Sequence, residues 1–148
     1  LQYGATMFTY NAAGEMASRS HAGQTTTYNY DEFGNLLAVS SGGIDYFYLV
    51  DANNRRLGRE VSGALSQGFL WQGKLSLAAV VDGDGVVDGR FVYADGANVP
   101  AYMIKAGTTY HLVTDHVSSP RLIVDVATGA VQQQNSYDEF GVVQLDTN

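Results

Sequence analysis

The sequence predicts an all-β chain, a curled array of antiparallel β-hairpins, and three observations carry that prediction. The phrase Tyr30-Asp31-Glu32-Phe33-Gly34 returns as Tyr137-Asp138-Glu139-Phe140-Gly141, with degraded copies at steps of roughly twenty residues, which marks one supersecondary unit copied along the chain. The composition, with 17 Gly, 10 Tyr and 6 Phe but only 2 Pro in 148 residues, favours strands and tight turns. No stretch of ten or more residues carries the 3.6-residue apolar period of a helix.

Read in order, the copies are Tyr10-Asn11-Ala12-Ala13-Gly14, the Tyr30 phrase, Val50-Asp51-Ala52-Asn53-Asn54, a weak copy at Trp71-Gln72-Gly73, Tyr93-Ala94-Asp95-Gly96, Thr114-Asp115-His116-Val117-Ser118 and the Tyr137 phrase. Each is a turn with a mechanism. Asp31 opens its turn by accepting backbone N–H groups, two residues bend the chain, and Gly34 takes the positive φ that lets the return strand pair. A type I turn followed by a glycine bulge fits this spacing. Asn54 replaces the glycine in the third copy because Asn tolerates the left-handed region.

Between turns the strands alternate, with Tyr28 and Tyr30 on one face and Thr27 and Asn29 on the other, then Tyr110 and Leu112 opposite His111. Tyr46 to Val50, Leu75 to Val81 and Leu122 to Val124 are apolar on both faces, which predicts that something covers the second face. A chain of this length and 45% hydrophobic content can bury a core. The pre-turn Tyr10, Tyr30, Tyr93 and Tyr137 are expected to stack as a ladder from hairpin to hairpin.

A formal charge of −7 argues against nucleic acid as a partner, because phosphates are neutralised by Lys and Arg. The absence of cysteine removes disulfides, thiol catalysis and Cys-based metal sites. No apolar run is long enough for a membrane helix and no signal-peptide pattern opens the chain, so membrane insertion by this segment is not expected. The chain opens on Leu1 and continues only from Val142 to Asn148 after the last copy, which reads as a piece of a longer polypeptide.

The Tyr-Asp-x-x-Gly motif followed by Asn-Leu, at this spacing, resembles the YD repeat of the Rhs family, shared with the C components of Tc toxin complexes and with teneurins. A second segment, Tyr110-His111-Leu112-Val113-Thr114-Asp115-His116-Val117-Ser118-Ser119-Pro120-Arg121-Leu122, is similar to the opening of the Rhs repeat-associated core. Ser118 stands where that pattern usually has glycine, and Glu139 where it often has proline. The resemblance implies YD-type hairpin repeats over residues 1–109, least regular over 60–95, and the start of the core region over 110–148. It further implies a ribbon that winds into a hollow shell around a C-terminal polymorphic toxin, in a bacterial protein that is secreted or displayed at the cell surface. The implied partners are the rest of the same polypeptide and the enclosed toxin. Scaffold roles fall on Tyr10, Asn11, Gly14, Tyr30, Asp31, Gly34, Asp51, Asn54, Tyr93, Asp115, His116, Pro120, Arg121, Tyr137, Asp138 and Gly141. The family's self-cleaving aspartates lie in Asp-Pro-containing sequence downstream, and no Asp-Pro pair occurs here to receive them.

Candidate chemistry is thin. Asp82, Asp84 and Asp88 suggest calcium, but an EF-hand loop needs an oxygen ligand where Val86 stands, a glycine after it and a Glu where Tyr93 stands. A tight Asp-Gly turn between Leu77–Val81 and Val86–Tyr93 accounts for the same residues. His111 and His116 are five apart in a strand and turn, which sends them to different places, and no nucleophile-elbow sequence accompanies the serines. His116 is expected to hydrogen-bond backbone within its turn. Asn54-Arg55-Arg56 with Arg59 reads as a solvated turn and strand edge, and no phosphate-binding glycine loop is present. The sequence therefore predicts no catalytic residue and no cofactor. The alternative to a shell is an extracellular adhesion or carbohydrate-binding repeat module, distinguished by outward-facing aromatics. About seven repeats leave edge strands unpaired, so self-association is a further expectation.

Overall fold

The computed structural model describes residues 2–147. Fifteen antiparallel strands follow one another in a single open order that repeats the chain order. They are β1 (Gln2–Tyr3), β2 (Thr6–Tyr10), β3 (Met16–His21), β4 (Gln24–Tyr30), β5 (Leu36–Ser41), β6 (Ile44–Val50), β7 (Arg56–Val61), β8 (Ala64–Gln72), β9 (Ser76–Asp82), β10 (Val87–Tyr93), β11 (Pro100–Lys105), β12 (Thr108–Thr114), β13 (Pro120–Asp125), β14 (Val131–Tyr137) and β15 (Val143–Asp146). No helix occurs among the described residues. The chain divides into two compact units, one running to Phe69 and taking back Asp82–Val86, the other comprising Leu70–Val81 and Val87 onward.

In the first unit, two kinds of connection alternate. After β3, β5 and β7 the chain reverses in two residues, Ala22-Gly23, Gly42-Gly43 and Ser62-Gly63, each with both φ angles positive. That is the backbone of a type I′ turn, whose twist matches that of the flanking strands. Ala22 and Ser62 hold φ of 50° and 51° without being glycine, a modest strain accepted for that twist. After β2, β4 and β6 the connection is instead the Asx-headed turn of the repeat. In the second unit Ala106-Gly107 repeats the two-residue reversal after β11.

Each unit is a sheet one layer thick, and this overturns the expected core and the expected covering of the second face. Ala79, 7% exposed, is the one buried apolar side chain among the described residues. In β6, Tyr46 and Tyr48 are half-buried while Phe47 and Leu49 on the other face stay 44% and 46% exposed, because no second layer packs on them within their unit. The turn at Asp82–Val86 packs onto β8 so closely that a Cβ on Gly83 would overlap the Leu65 carbonyl.

The tyrosine ladder does not form. Equivalent tyrosines of successive copies, Tyr10 on β2 and Tyr30 on β4, are separated by a whole strand, about 10 Å by inter-strand spacing and beyond ring contact. Each takes a different partner where it has one: the Tyr93 hydroxyl bridges the Leu77 amide and carbonyl at 2.9 and 3.1 Å, and the Arg121 guanidinium lies 5.1 Å over the Tyr137 ring. A ring pair that does stack is Tyr102 with His111, on directly opposed positions of β11 and β12, with centroids 5.1 Å apart.

Candidate functional site

Six turns share one hydrogen-bond network, headed by Asn11, Asp31, Asp51, Asp82, Asp115 and Asp138. In each, the head residue's N–H donates to the carbonyl four residues on, as Asp31 does to Asn35 at 3.0 Å, and its own carbonyl accepts from the residue three on, as from Gly34 at 3.2 Å. Its side-chain Oδ1 accepts two further amides, at positions two and four: Phe33 and Asn35 onto Asp31 at 2.9 and 2.8 Å, Asn53 and Arg55 onto Asp51 at 2.9 Å each, Val117 and Ser119 onto Asp115 at 3.0 and 2.9 Å. Asn11, Asp82 and Asp138 repeat the pattern. The third residue after the head is left-handed in all six: Gly14, Gly34, Asn54, Gly85, Ser118 and Gly141, with φ between 60° and 84°.

The sixth residue after each head is an extra residue in the returning strand. The register slips by one there in every copy, leaving Ala17, Leu37, Leu57, Asp88, Arg121 and Gln144 unopposed. The bulge turns its residue back toward the turn, and that matters for the second oxygen of the head. Arg121 Nε reaches Asp115 Oδ2 at 2.8 Å and Gln144 reaches Asp138 Oδ2 at 3.3 Å from this position. Elsewhere the fourth residue does the same work: Asn35 Nδ2 onto Asp31 Oδ2 at 2.8 Å, Arg55 Nε onto Asp51 Oδ2 at 2.8 Å, and, with the polarity reversed, Asn11 Nδ2 onto Glu15 Oε2 at 2.6 Å.

These donors hold three carboxyls below the usual carboxylate range. Asp31 is lowered chiefly by the Asn35 side chain, Asp51 by the Arg55 side chain, and Asp115 by the Ser119 amide followed by Arg121. Burial, with help from the Glu15 carboxylate, pushes the Tyr30 hydroxyl up.

Neighbouring copies are also tied to each other. Glu15 of the first copy lies against the second, where a Cβ on Gly34 would sit 3.1 Å from its Oε1. Asn35 of the second donates to Asn54 Oδ1 of the third at 2.9 Å. In the second unit Arg121 joins the Asp115 copy to Tyr137 of the last.

The sequence-level candidates are placed as follows. Pro120 opens β13 directly behind the Asp115 turn, and Thr114 pairs with it. His116, expected to bond backbone, is exposed and makes no hydrogen bond among the described residues, because Asp115 Oδ1 already takes both available amides. Asp82, Asp84 and Asp88 do not converge: Asp82 heads a turn, and Asp88 on its bulge pairs with Lys105 at 3.2 Å. No group of three or more metal-ligating side chains is assembled among the described residues. The basic run is partnered as well as exposed at Arg56, with Arg55 on Asp51 at 2.6 Å, Arg56 3.9 Å over the Tyr48 ring and Arg59 on Ser66 at 3.2 Å.

The two weak copies stand in the right places without the network. The chain turns at residues 73–75 and again at 94–99, where Ala97 N–H on the Ala94 carbonyl at 3.0 Å is the closing bond, and neither turn has an Asx head. Together with Phe91 and Tyr93 they line a hollow of about 700 Å³, in which Gln72, Asp95 and Asn98 make no side-chain hydrogen bond among the described residues. The Asp82 turn stands outside the roughly twenty-residue spacing of the other heads, following β9, whereas β3, β5, β7 and β11 end in two-residue reversals. Its Val-Asp-x-x-Gly spelling was the available signal.

An open, single-layer hairpin array whose turns spend their polar groups on one another defines a structural repeat protein. The family model of the teneurin YD-shell matches residues 1–148, and the chain belongs to that family. No curated protein matches the chain. Among solved structures it is similar to the crystal structure of TcdB2-TccC3-TEV, at 10% identity over 94% of this chain and 10% of that one, TM-score 0.44. It is similar to the Photorhabdus luminescens Tc holotoxin pore carrying a substituted TccC3, at 14% identity over 96% and 8%, TM-score 0.48. TcdB2-TccC3 without the hypervariable C-terminal region gives 13% identity over 95% and 12%, TM-score 0.29. The chain spans roughly a tenth of the length of these structures.

Proposed function

We propose that this chain is a wall segment of a YD-repeat shell that encloses a C-terminal toxin of its own polypeptide until delivery. The observation that supports this most is the linked turn ladder. Six turns satisfy their head residue internally, and Asn35 and Arg121 each reach from one copy to the next, so the array extends by adding hairpins and spends its polar groups on wall building rather than chemistry. Residues 1–109 are then repeat wall and 110–148 open the core region, with self-cleavage further along the chain. The polypeptide is a secreted or surface-displayed bacterial protein, and its partners are the remaining wall and the enclosed toxin. Intact-mass and peptide mass spectrometry of the native polypeptide tests this. A cleaved C-terminal fragment that co-purifies with the repeats supports the proposal; an uncleaved chain that leads into a membrane anchor or binding modules overturns it.

A second reading, carbohydrate recognition, has one observation in its favour. The Tyr102–His111 stack lies beside a hollow of about 440 Å³ lined by His111, Asn98, Thr114 and Ser118, and stacked rings with neighbouring polar groups suit sugar faces. Saturable binding on a glycan array, lost in Tyr102→Ala, would favour it; a blank array removes it.

A further inference from the structure

The β3–β4 hairpin of the first unit carries a group of donors that the wall does not use. Period-two alternation puts Arg19 and His21 of β3 on one face, and the register sets Thr26 opposite Arg19, Gln24 opposite His21 and Ser41 opposite Thr26. These five residues line a hollow of about 220 Å³. No carboxylate lines it, although acids outnumber bases 15 to 8 in the chain.

The donors are also free to act. Arg19 has no acidic partner among the described residues, unlike Arg55 and Arg121, which are held by the heads of their turns. The hollow beside Arg90 differs in containing Asp88, already paired with Lys105. Thr6 Oγ1 lies 3.0 Å from His21 Nδ1, and with the Thr6 hydroxyl donating to Nδ1 the ring presents Nε2–H as a donor without a partner. Thr26 and Ser41 hydroxyls are 2.8 Å apart, so one donates to the other and the second keeps its hydrogen. Gln24 follows the Ala22-Gly23 reversal directly, which fixes it beside His21.

We infer that this hollow is a binding site for an oxyanion, a phosphate or carboxylate group, gripped by the Arg19 guanidinium and oriented by His21, Gln24 and the Thr26–Ser41 hydroxyl pair. A planar guanidinium matches two oxygens of such a group at once, and neutral donors around it select oxygen acceptors over a bare halide. The inference stands apart from the shell reading, since it rests on one hairpin and its neighbour strand.

The test is a titration of the ¹⁵N-labelled protein, followed by amide and Arg Nε chemical shifts, with inorganic phosphate in one arm, acetate in another and chloride at matched ionic strength as the control. Saturating shifts confined to Arg19, Gln24, Thr26 and Ser41 with phosphate support the site and mark a phosphate-type ligand; the same with acetate supports it and marks a carboxylate. Arg19→Gln is expected to weaken binding at least about tenfold, and Arg19→Lys less, because the charge remains and the fork is lost. Gln24→Ala, on the exposed end of the hairpin, provides a milder variant should Arg19→Gln unfold the protein, with an expected loss of a few-fold. Shifts that never saturate in either arm, or that persist undiminished in a folded Arg19 variant and in Gln24→Ala, overturn the inference.

Discussion

The stretch from Asn11 to Arg55 and the stretch from Leu70 to Val99 contain the same strand-and-turn rhythm and differ in how their repeat-side turns are closed. In the first, three consecutive heads each hold five hydrogen bonds within their own turn, and side chains cross from one copy to the next. In the second, the two corresponding turns lack a head, their polar side chains are idle, and a hollow opens between them. The hairpins persist in both. The difference teaches that strand pairing is sufficient to form the array, while the Asx head closes the turn and holds the side chains that reach the neighbouring copy.

The sharpest way to break the contrast is at the left-handed position. Gly34→Val forces a β-branched side chain to φ 81° against Glu15 and is expected to cost about 2–4 kcal/mol in chemical denaturation, by left-handed strain and crowding. Asn54→Gly at the equivalent place relieves left-handed strain but removes the Oδ1 that accepts from Asn35, so the two effects oppose and the net change is expected to stay within about 1 kcal/mol.

Removing a head should come next. Asp51→Ala deletes the acceptor of two amides and of Arg55, and should lower the melting temperature by several degrees, while Asp95→Ala in the headless turn should leave it unchanged. A fall of equal size at both positions would erase the distinction between the two stretches.

Acid sharpens the same comparison. Folding lowers the pKa of Asp31, Asp51 and Asp115, so their contribution is complete above the usual carboxylate value of about 3.9 and is lost as the pH falls through their lower folded values. Thermal melts between neutral and strongly acid pH should therefore show stability falling at the acid end, and Asp51→Asn should fall less than the parent, because an amide oxygen keeps accepting as it does in Asn11.

Between the two headless turns, Tyr93→Phe removes the hydroxyl that bridges both backbone groups of Leu77 and is expected to cost about 1 kcal/mol. The smallest effect belongs to Phe33→Ser. Phe33 is 81% exposed at the turn tip, and Ala13, Asn53, Asp84 and Val117 occupy the same place in other copies, so the change should stay within about 0.5 kcal/mol.

Much of the array was legible from residues alone, and the parts that were not share one cause. Asp31, Gly34, Asp138 and Gly141 announce a turn because the head, the bend and the left-handed residue lie within four positions, and their chemistry is complete without the rest of the chain. The type I′ reversals at Gly23, Gly43 and Gly63 are as local, but Ala22 and Ser62 at their first positions are not residues that signal a positive φ. The bulge six residues on could not be read, since a bulge is defined by what the opposite strand does.

What the sequence determined by itself is the all-β class, the antiparallel hairpin rhythm and the identity of the turns with an Asx head and glycine, because backbone φ preferences and short-range hydrogen bonds set them. Only the tertiary structure decided which side chains meet. Register placed Tyr102 on His111, spacing kept successive tyrosines apart, and the bulges sent Arg121 back to Asp115 but Asp88 out to Lys105. Those contacts depend on distances between strands that no single stretch of sequence contains.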